Sequence, residues 1–257
     1  MPSEPLRVST SGASSELVVL QPGVFGLRAV AGPSGTFGAL LEAALEAVRA
    51  QGGRALHVRV DTATGQPDAA PALVALGFVR VSERAEFEAT VSDLPDDAGS
   101  PLAWEALPDL GEHRLREAAA LLKRAGEGDP DWQSDDDAFE LLKGYLADPA
   151  LTGGPDCVAV GRLGESPAAI VVAQVHRTSG VGRLTYLGVF PEFRGRGLGA
   201  WVHRHGFAMM AAQGAERYRG GTLTNNLPML KLFSRHSCPE SRRLEEWVWR
   251  HSDAPAT

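Results

Sequence analysis

Cysteine is scarce: Cys157 and Cys238 are the only two in 257 residues. They lie far apart, and no Cys/His cluster has metal-ligand spacing. This argues against both a disulfide framework and a zinc site, and it fits a reducing, cytoplasmic compartment. No apolar run reaches 18 residues, so no helix is expected to span a membrane. Residues 1–15 are polar and lack the apolar stretch of a signal peptide, so they are expected to be loose. A surplus of positive charge is missing too. The net charge of −7 argues against a general nucleic-acid binder, which needs a positive face.

What remains is ordinary globular composition, 44% hydrophobic and 22% charged, in a chain long enough for one large domain or two smaller ones. The Pro-, Asp- and Gly-rich stretch 93–101 reads as a linker. Before it, 17–20 and 24–30 predict strands, and 37–50 predicts a helix with Leu41, Leu45 and Val48 on one face. Leu56, Val58 and Val60 alternate as a strand, 69–76 predicts a helix ending at Gly77, and Phe87, Ala89 and Val91 a last strand. After the linker, 102–107 predicts a strand, and 113–124 and 135–146 predict helices. A hairpin follows over 157–162 and 168–176, then a strand at 183–190. A long helix is predicted at 198–213, a strand at 218–224, a short helix at 228–236 and a strand at 244–250. The second half therefore reads β-α-α-β-β-β-α-β-α-β, an α/β (α+β) pattern. The first half repeats its later part. The expected organisation is a loose 1–15, a partial α/β unit at 16–92, the linker, a complete unit at 102–251, and a tail at 252–257.

The sharpest local feature lies between the 183–190 strand and the long helix. It runs Val189-Phe-Pro-Glu-Phe-Arg-Gly-Arg-Gly-Leu-Gly199, with the core Arg194-x-x-Gly197-x-Gly199. Glycines at a strand-to-helix turn let backbone N–H groups converge on an anion. The helix that starts there adds the positive end of its dipole, a ready pyrophosphate site. Arg194 and Arg196 add charge at the same place. A dinucleotide fingerprint needs Gly-x-Gly-x-x-Gly, but the spacing here is Gly195-x-Gly197-x-Gly199. A P-loop needs a terminal Gly-Lys-Ser/Thr, which is absent.

Val189, Pro191, Arg194, Gly197 and Gly199 match the Arg/Gln-x-x-Gly-x-Gly/Ala signature that follows a Val-x-Pro strand end in the GNAT acyltransferases. Asn226 with Phe233 seven positions on, then the strand 244–250, resembles a second signature of that superfamily. The resemblance covers roughly 102–250. It implies a GNAT fold, a mixed central sheet flanked by helices, with a bulge in the 183–190 strand that splays it from the 218–224 strand. It implies acetyl-CoA as acyl donor and a small-molecule amine as acceptor, with no metal. Backbone groups of Leu187, Gly188 and Val189 would bond the pantetheine arm. Arg194, Gly195, Arg196, Gly197, Leu198 and Gly199 would hold the pyrophosphate, and Asn226 would support the cofactor from the opposite wall. A backbone N–H near Gly188 would polarise the thioester carbonyl. The first half, with Gly32-Pro-Ser-Gly-Thr-Phe-Gly38 in place of the arginine-glycine loop, looks like a degenerate, truncated GNAT copy. Such tandem arrangements are similar to mycothiol synthase.

The proton-transfer groups of the superfamily do not carry over. Phe233 stands where relatives place a tyrosine, and Thr185 where some place a glutamate. Tyr186, His176 and Ser234 are the nearby candidates, each with a plain structural role as the alternative. The absence of both usual partners also admits a non-catalytic acyl-CoA-binding module, and protein N-acetylation is a further alternative. The acidic stretch Glu127, Asp129, Asp131, Asp135, Asp136, Asp137, Glu140 is read first as helix-end charge, with Ser134 as N-cap. Its other reading, with Trp132, is an acceptor-facing lid that attracts a cation. His203 and His205 face different ways on the long helix and make no metal pair. Trp247 and Trp249 share a strand face and read as core.

Overall fold

Alternating apolar residues in the first half set up a meander of strands. β1 (Leu6–Thr10) buries Val8 between exposed Arg7 and Ser9. It pairs antiparallel with β2 (Ala13–Gln21), which pairs antiparallel with β3 (Val24–Ala31). α1 (Phe37–Ala50) turns Leu40, Leu41, Leu45 and Val48 inward. It serves as the crossover that a parallel pair requires, delivering the chain to β4 (Ala55–Asp61) beside β3. α2 (Ala69–Ala75) and β5 (Val79–Thr90) follow. This is a computed structural model, and it describes residues 6–10, 13–21, 23–31, 35–62, 69–107, 111–132 and 137–251.

The second half begins with β6 (Ala103–Ala106), α3 (Glu112–Gly126) and α4 (Ala138–Ala147). Asp137, not Ser134, is the N-cap of α4; its side chain accepts from the backbone N–H groups of Phe139 and Glu140. Ser134, Asp135 and Asp136 lie outside the described residues. β7 (Val158–Leu163), β8 (Ser166–Val175) and β9 (Val181–Val189) continue the antiparallel ladder from β6. α5 (Leu198–Ala212) then crosses over to β10 (Arg217–Leu223), parallel to β9. α6 (Leu227–Arg235) and β11 (Glu240–Arg250) close the chain.

β8 is buried from Ala168 to Val175 because helices cover both of its faces. Ile170 and Val172 pack with Leu122 of α3 and Leu142 of α4, while Ala169 and Val171 pack with Leu198 and Val202 of α5. A strand covered on both sides reads as a continuous apolar run, not an alternating one.

The chain divides into two compact units, Met1–Ala85 with Arg242–Thr257, and Glu86–Ser241. The division differs from the expected one in three places. Residues 6–10, expected to be loose, form β1. The 93–101 segment belongs to the second unit, where Asp97 Oδ2 lies 2.6 Å from His205 Nδ1. The last strand joins the first unit, where β11 runs antiparallel to β4 and puts Trp247 and Trp249 in a core with Leu41, Leu56 and Val58. β5 lies with the first unit up to Ala85. From Glu86 onward it serves the second, where Phe87 stacks on Phe233 at 3.9 Å and Arg219 Nε donates to Glu88 at 2.7 Å. Strand patterning reports which residues face a core; it carries no information about which ladder partner supplies that core.

Candidate active site

The site lies within the second unit and starts from an irregularity in β9. Val172 of β8 faces Tyr186, but the next residue, Ala173, faces Leu184, so Thr185 is an extra residue on β9. Such a bulge bends its strand and shifts the alternation of side chains by one. Leu184, Leu187 and Val189 accordingly share the α5 side, while Gly188 faces Ala125 of α3, with the Tyr186 hydroxyl alongside. The Thr185 hydroxyl is bonded to Gln174 Oε1 at 2.6 Å.

Among the described residues β9 and β10 are joined only at Arg217↔Val181 and Tyr218↔Gly182. Beyond that point no ladder pairing connects them, and the edge of β9 that faces β10 is left open. Phe190 N–H donates to Ala168 O at 2.9 Å. Bonded pairs alternate along an antiparallel ladder, so residues 186, 188 and 190 turn their backbone groups toward β8. Leu187 and Val189 turn theirs to the open edge. Gly188 is committed to β8, so the N–H groups near it that face the open edge are those of Leu187 and Val189.

At the end of β9 a 3-10 turn, Pro191–Phe193, leads into the glycine loop. Gly195 and Gly197 both have φ +75°, a conformation L side chains rarely adopt, and nothing lies within 4 Å of where a Cβ would project from either. Gly197 is the N-cap of α5 and supplies no side-chain cap, so the helix presents its first N–H groups to that open space. Leu198 is anchored in the core and Gly199 lies close to Leu232 of α6; only their backbones face the loop. This cradle suits a pyrophosphate.

The two arginines expected to add charge at the loop are tied to the protein to different degrees. Arg194 donates through Nε to Val189 O (2.9 Å), through Nη1 to Glu127 O (2.6 Å) and through Nη2 to Ala125 O (2.9 Å). It acts as a three-point clamp between the end of β9 and the turn after α3. Arg196 is more loosely tied, with Nη2 donating to Glu192 O at 3.1 Å and its guanidinium 5.4 Å from the Phe193 ring centroid.

That turn after α3 carries the part of the site that the sequence reading undervalued. Asp129 Oδ1 accepts from Asp131 N–H (2.9 Å) and Asn226 Nδ2 (3.2 Å), and its Oδ2 accepts from the Tyr186 hydroxyl (3.5 Å). Asp131 accepts from the Thr222 hydroxyl, from Leu223 N–H (3.1 Å) and from Asn226 Nδ2 (2.9 Å). The two carboxylates thus tie the turn to the end of β10 and the start of α6. Burial pushes the Asp129 carboxyl up from its ordinary range, opposed by its bond from Asp131 N–H. Burial, then the neighbouring Asp129 charge, raises the Tyr186 phenol as well, so it stays protonated. Trp132 meets the Tyr186 ring edge-on at 5.7 Å and packs over Gly126.

Of the candidates named from sequence, Tyr186 and Asn226 come together through Asp129. Asn226 also caps α6, its Oδ1 accepting from Met229 N–H at 3.3 Å. His176 does not join them. It bonds to Val181 at the start of β9 and to the Thr178 hydroxyl, about 30 Å along the strand from the glycine loop. Ser234 is on the exposed face of α6. Phe233, at the position of the superfamily's tyrosine, is buried and stacked on Phe87. His203 and His205 do diverge: His203 bonds to His236 (2.9 Å) and Tyr218 (3.3 Å), and His205 to Asp97. Among the described residues no group of three or more His, Cys, Asp or Glu is placed to hold a metal, and no helix is long and apolar enough to cross a membrane.

Comparison with known proteins bears on the fold that carries this site. Residues 117–237 match the model of the Acetyltransferase (GNAT) family. A search of curated proteins found no match. Among solved structures, a GCN5-related N-acetyltransferase from Sphaerobacter thermophilus is similar with a TM-score of 0.70 at 14% identity, over 93% of this chain and 76% of that one. Another, from Kribbella flavida, has a TM-score of 0.63 at 16% identity, over 98% and 90%. A tandem GNAT protein from the clavulanic acid biosynthesis pathway has a TM-score of 0.61 at 14% identity, over 96% and 80%. At such identities the structures speak for the fold, and the segment that resembles the Acetyltransferase (GNAT) family model runs from within α3 through α6.

Proposed function

We propose that the protein moves an acetyl group from acetyl-CoA to the amine of a small molecule in the cytoplasm. The observation that carries this is the bulged β9, which parts from β10 after Gly182 and leaves Leu187 and Val189 facing an open edge beside the Gly195–Gly197 cradle. The cradle and the first N–H groups of α5 bind the pyrophosphate. The open backbone groups of Leu187 and the N–H of Val189, whose carbonyl is taken by Arg194, pair with the pantetheine arm as an added strand would. An N–H on that edge polarises the thioester carbonyl. Bound acetyl-CoA supplies the activated acyl group. Tyr186 is the phenol on β9 beside this edge; burial and the Asp129 charge hold its proton tightly, so it can give one to the leaving sulfur once the Asp129 charge is neutralised.

The first unit is read as a degenerate GNAT copy. Its β1-β2-β3 meander, α1 crossover, parallel β4 and α2 repeat the order β7-β8-β9, α5, β10, α6. The clavulanic acid pathway neighbour is itself a tandem GNAT protein. Thr36 precedes α1 with no side-chain cap bond, and 32–34 of the corresponding loop lie outside the described residues.

The test is calorimetric titration of acetyl-CoA into the wild type and into Gly197→Val. A β-branched residue at φ +75° is strained by about 1–2 kcal/mol and puts methyl groups into the cradle. Binding is expected to weaken at least about 10-fold. Failure of the folded wild-type protein to bind acetyl-CoA would sink the reading.

A further inference from the structure

Resting on that reading, we propose that Asp129 and Tyr186 form a proton relay across the acetyl-transfer site. Asp129 takes the proton from the attacking amine, and Tyr186 gives one to the departing sulfur.

The geometry supports a division of labour between the two. Tyr186 lies on β9 next to Leu187, whose backbone faces the open edge of the cleft. Asp129 reaches the same place from the turn after α3, with its Oδ2 on the Tyr186 hydroxyl at 3.5 Å. Asp129 is not a loose surface acid. Its Oδ1 is held by Asp131 N–H and Asn226 Nδ2, and the turn itself is held by Asp131 on Thr222 and Leu223. Oδ1 is thus committed to fixed donors, whereas Oδ2 contacts a phenol that itself exchanges protons. Among the described residues, the charged and titratable groups facing Asp129 are Asp131 on its own turn, Arg194 at the glycine loop and Tyr186 on β9. Tyr145 of α4 faces Tyr186. Burial raises the Asp129 carboxyl, which brings a carboxylate base closer to its working range.

The step balances. The amine nitrogen forms the N–C bond to the acyl carbon and the C–S bond breaks. The N–H proton passes to the Asp129 carboxylate, and the Tyr186 O–H proton passes to sulfur, giving the amide and the free thiol. The proton on Asp129 then crosses the Oδ2–phenol contact to Tyr186, which restores both groups without an added acid or base.

Asp129→Asn keeps an oxygen for the Asp131 and Asn226 donors and removes the base; Tyr186→Phe removes the acid. Acetyl-CoA binding is measured by calorimetry, and thiol release is followed with hydroxylamine and 1,4-diaminobutane as acceptors. Both variants are expected to bind acetyl-CoA within about 2-fold of wild type. Asp129→Asn should lower kcat/KM by about 100-fold or more for both amines, and the part of the acidic limb set by the Asp129 carboxyl should vanish, leaving the part set by the amine's own protonation. A readout independent of turnover is the carboxyl resonance of carbon-13 aspartate that disappears in Asp129→Asn. In the protein without acetyl-CoA its titration midpoint should rise in Tyr186→Phe, because the phenol's hydrogen bond favours the carboxylate. Turnover in Asp129→Asn within about 3-fold of wild type, a midpoint insensitive to Tyr186→Phe, or a wild type that binds acetyl-CoA yet releases no thiol with either amine would overturn the relay. A wild type that does not bind acetyl-CoA would remove the acetyltransfer reading itself, a separate outcome.

Discussion

Arg194 separates two physical accounts of the glycine loop. If its value is positive charge near a phosphate, lysine should replace it well. If its value is the clamp on Val189 O, Glu127 O and Ala125 O, lysine should fail, because an ammonium is a point donor without the planar fork of guanidinium. Hydrogen bonds from charged donors contribute about 1.5–3 kcal/mol each in protected sites. Arg194 is exposed, so water competes and about 1 kcal/mol each is the appropriate scale. Arg194→Ala then costs about 3 kcal/mol and Arg194→Lys, which keeps one contact, about 2 kcal/mol. For a unit of this size these correspond to Tm losses of about 6–12 °C and 4–8 °C. The assay is differential scanning calorimetry of the three proteins without acetyl-CoA at one pH and salt concentration. A lysine variant within about 0.5 kcal/mol of wild type, beside a destabilised alanine variant, would refute the clamp.

Two further predictions concern each unit by itself. In the second, a Cβ at Gly220 would overlap the Tyr218 hydroxyl and lie 2.9 Å from Phe233; Gly220→Ala should cost about 1–3 kcal/mol by overpacking, measured by urea unfolding. In the first, the Glu246 carboxyl is held down at about 2, chiefly by its bond to His57, with Arg59 and Ser82 assisting. A depressed carboxyl stabilises above its unfolded value and loses that contribution as pH falls through the folded value. The stability gap between wild type and Glu246→Gln should therefore be full at neutral pH and close between about pH 4.5 and 2; a pH-independent gap in thermal unfolding would contradict this.

Much of the site was legible before any coordinates. Arg194, Gly195, Gly197 and Gly199 are local in sequence, and the left-handed backbone at Gly195 and Gly197 is a property glycine confers on its own. The α5 helix and β9 strand around them are set by short-range periodicity. What Arg194 does with its donors was not legible, because its three acceptors lie on the end of β9 and on a turn nearly 70 residues away. From sequence Asp129 and Asp131 fit helix-end charge, because their neighbours along the chain give no sign of Thr222, Leu223, Asn226 or Tyr186. The signal in the sequence is the run of Glu127, Asp129 and Asp131 around Gly128 and Pro130, which marks a turn but names no partner.

By itself the sequence determined the element order of the second half, the glycine cradle at the N-terminus of α5, and the lack of a tyrosine at Phe233, since each depends on residue type and short-range spacing. Only the tertiary structure decided the rest. The Thr185 bulge shifts the facing of β9 and turns Leu187 and Val189 away from β8, leaving Leu187 and the N–H of Val189 open. β11 finds its ladder on β4 of the first unit, and Asp129 meets Tyr186. The physical reason is the same in each case. A ladder register or a carboxylate's partner is chosen by which surfaces long-range packing brings together, and many registers satisfy the same local pattern equally well.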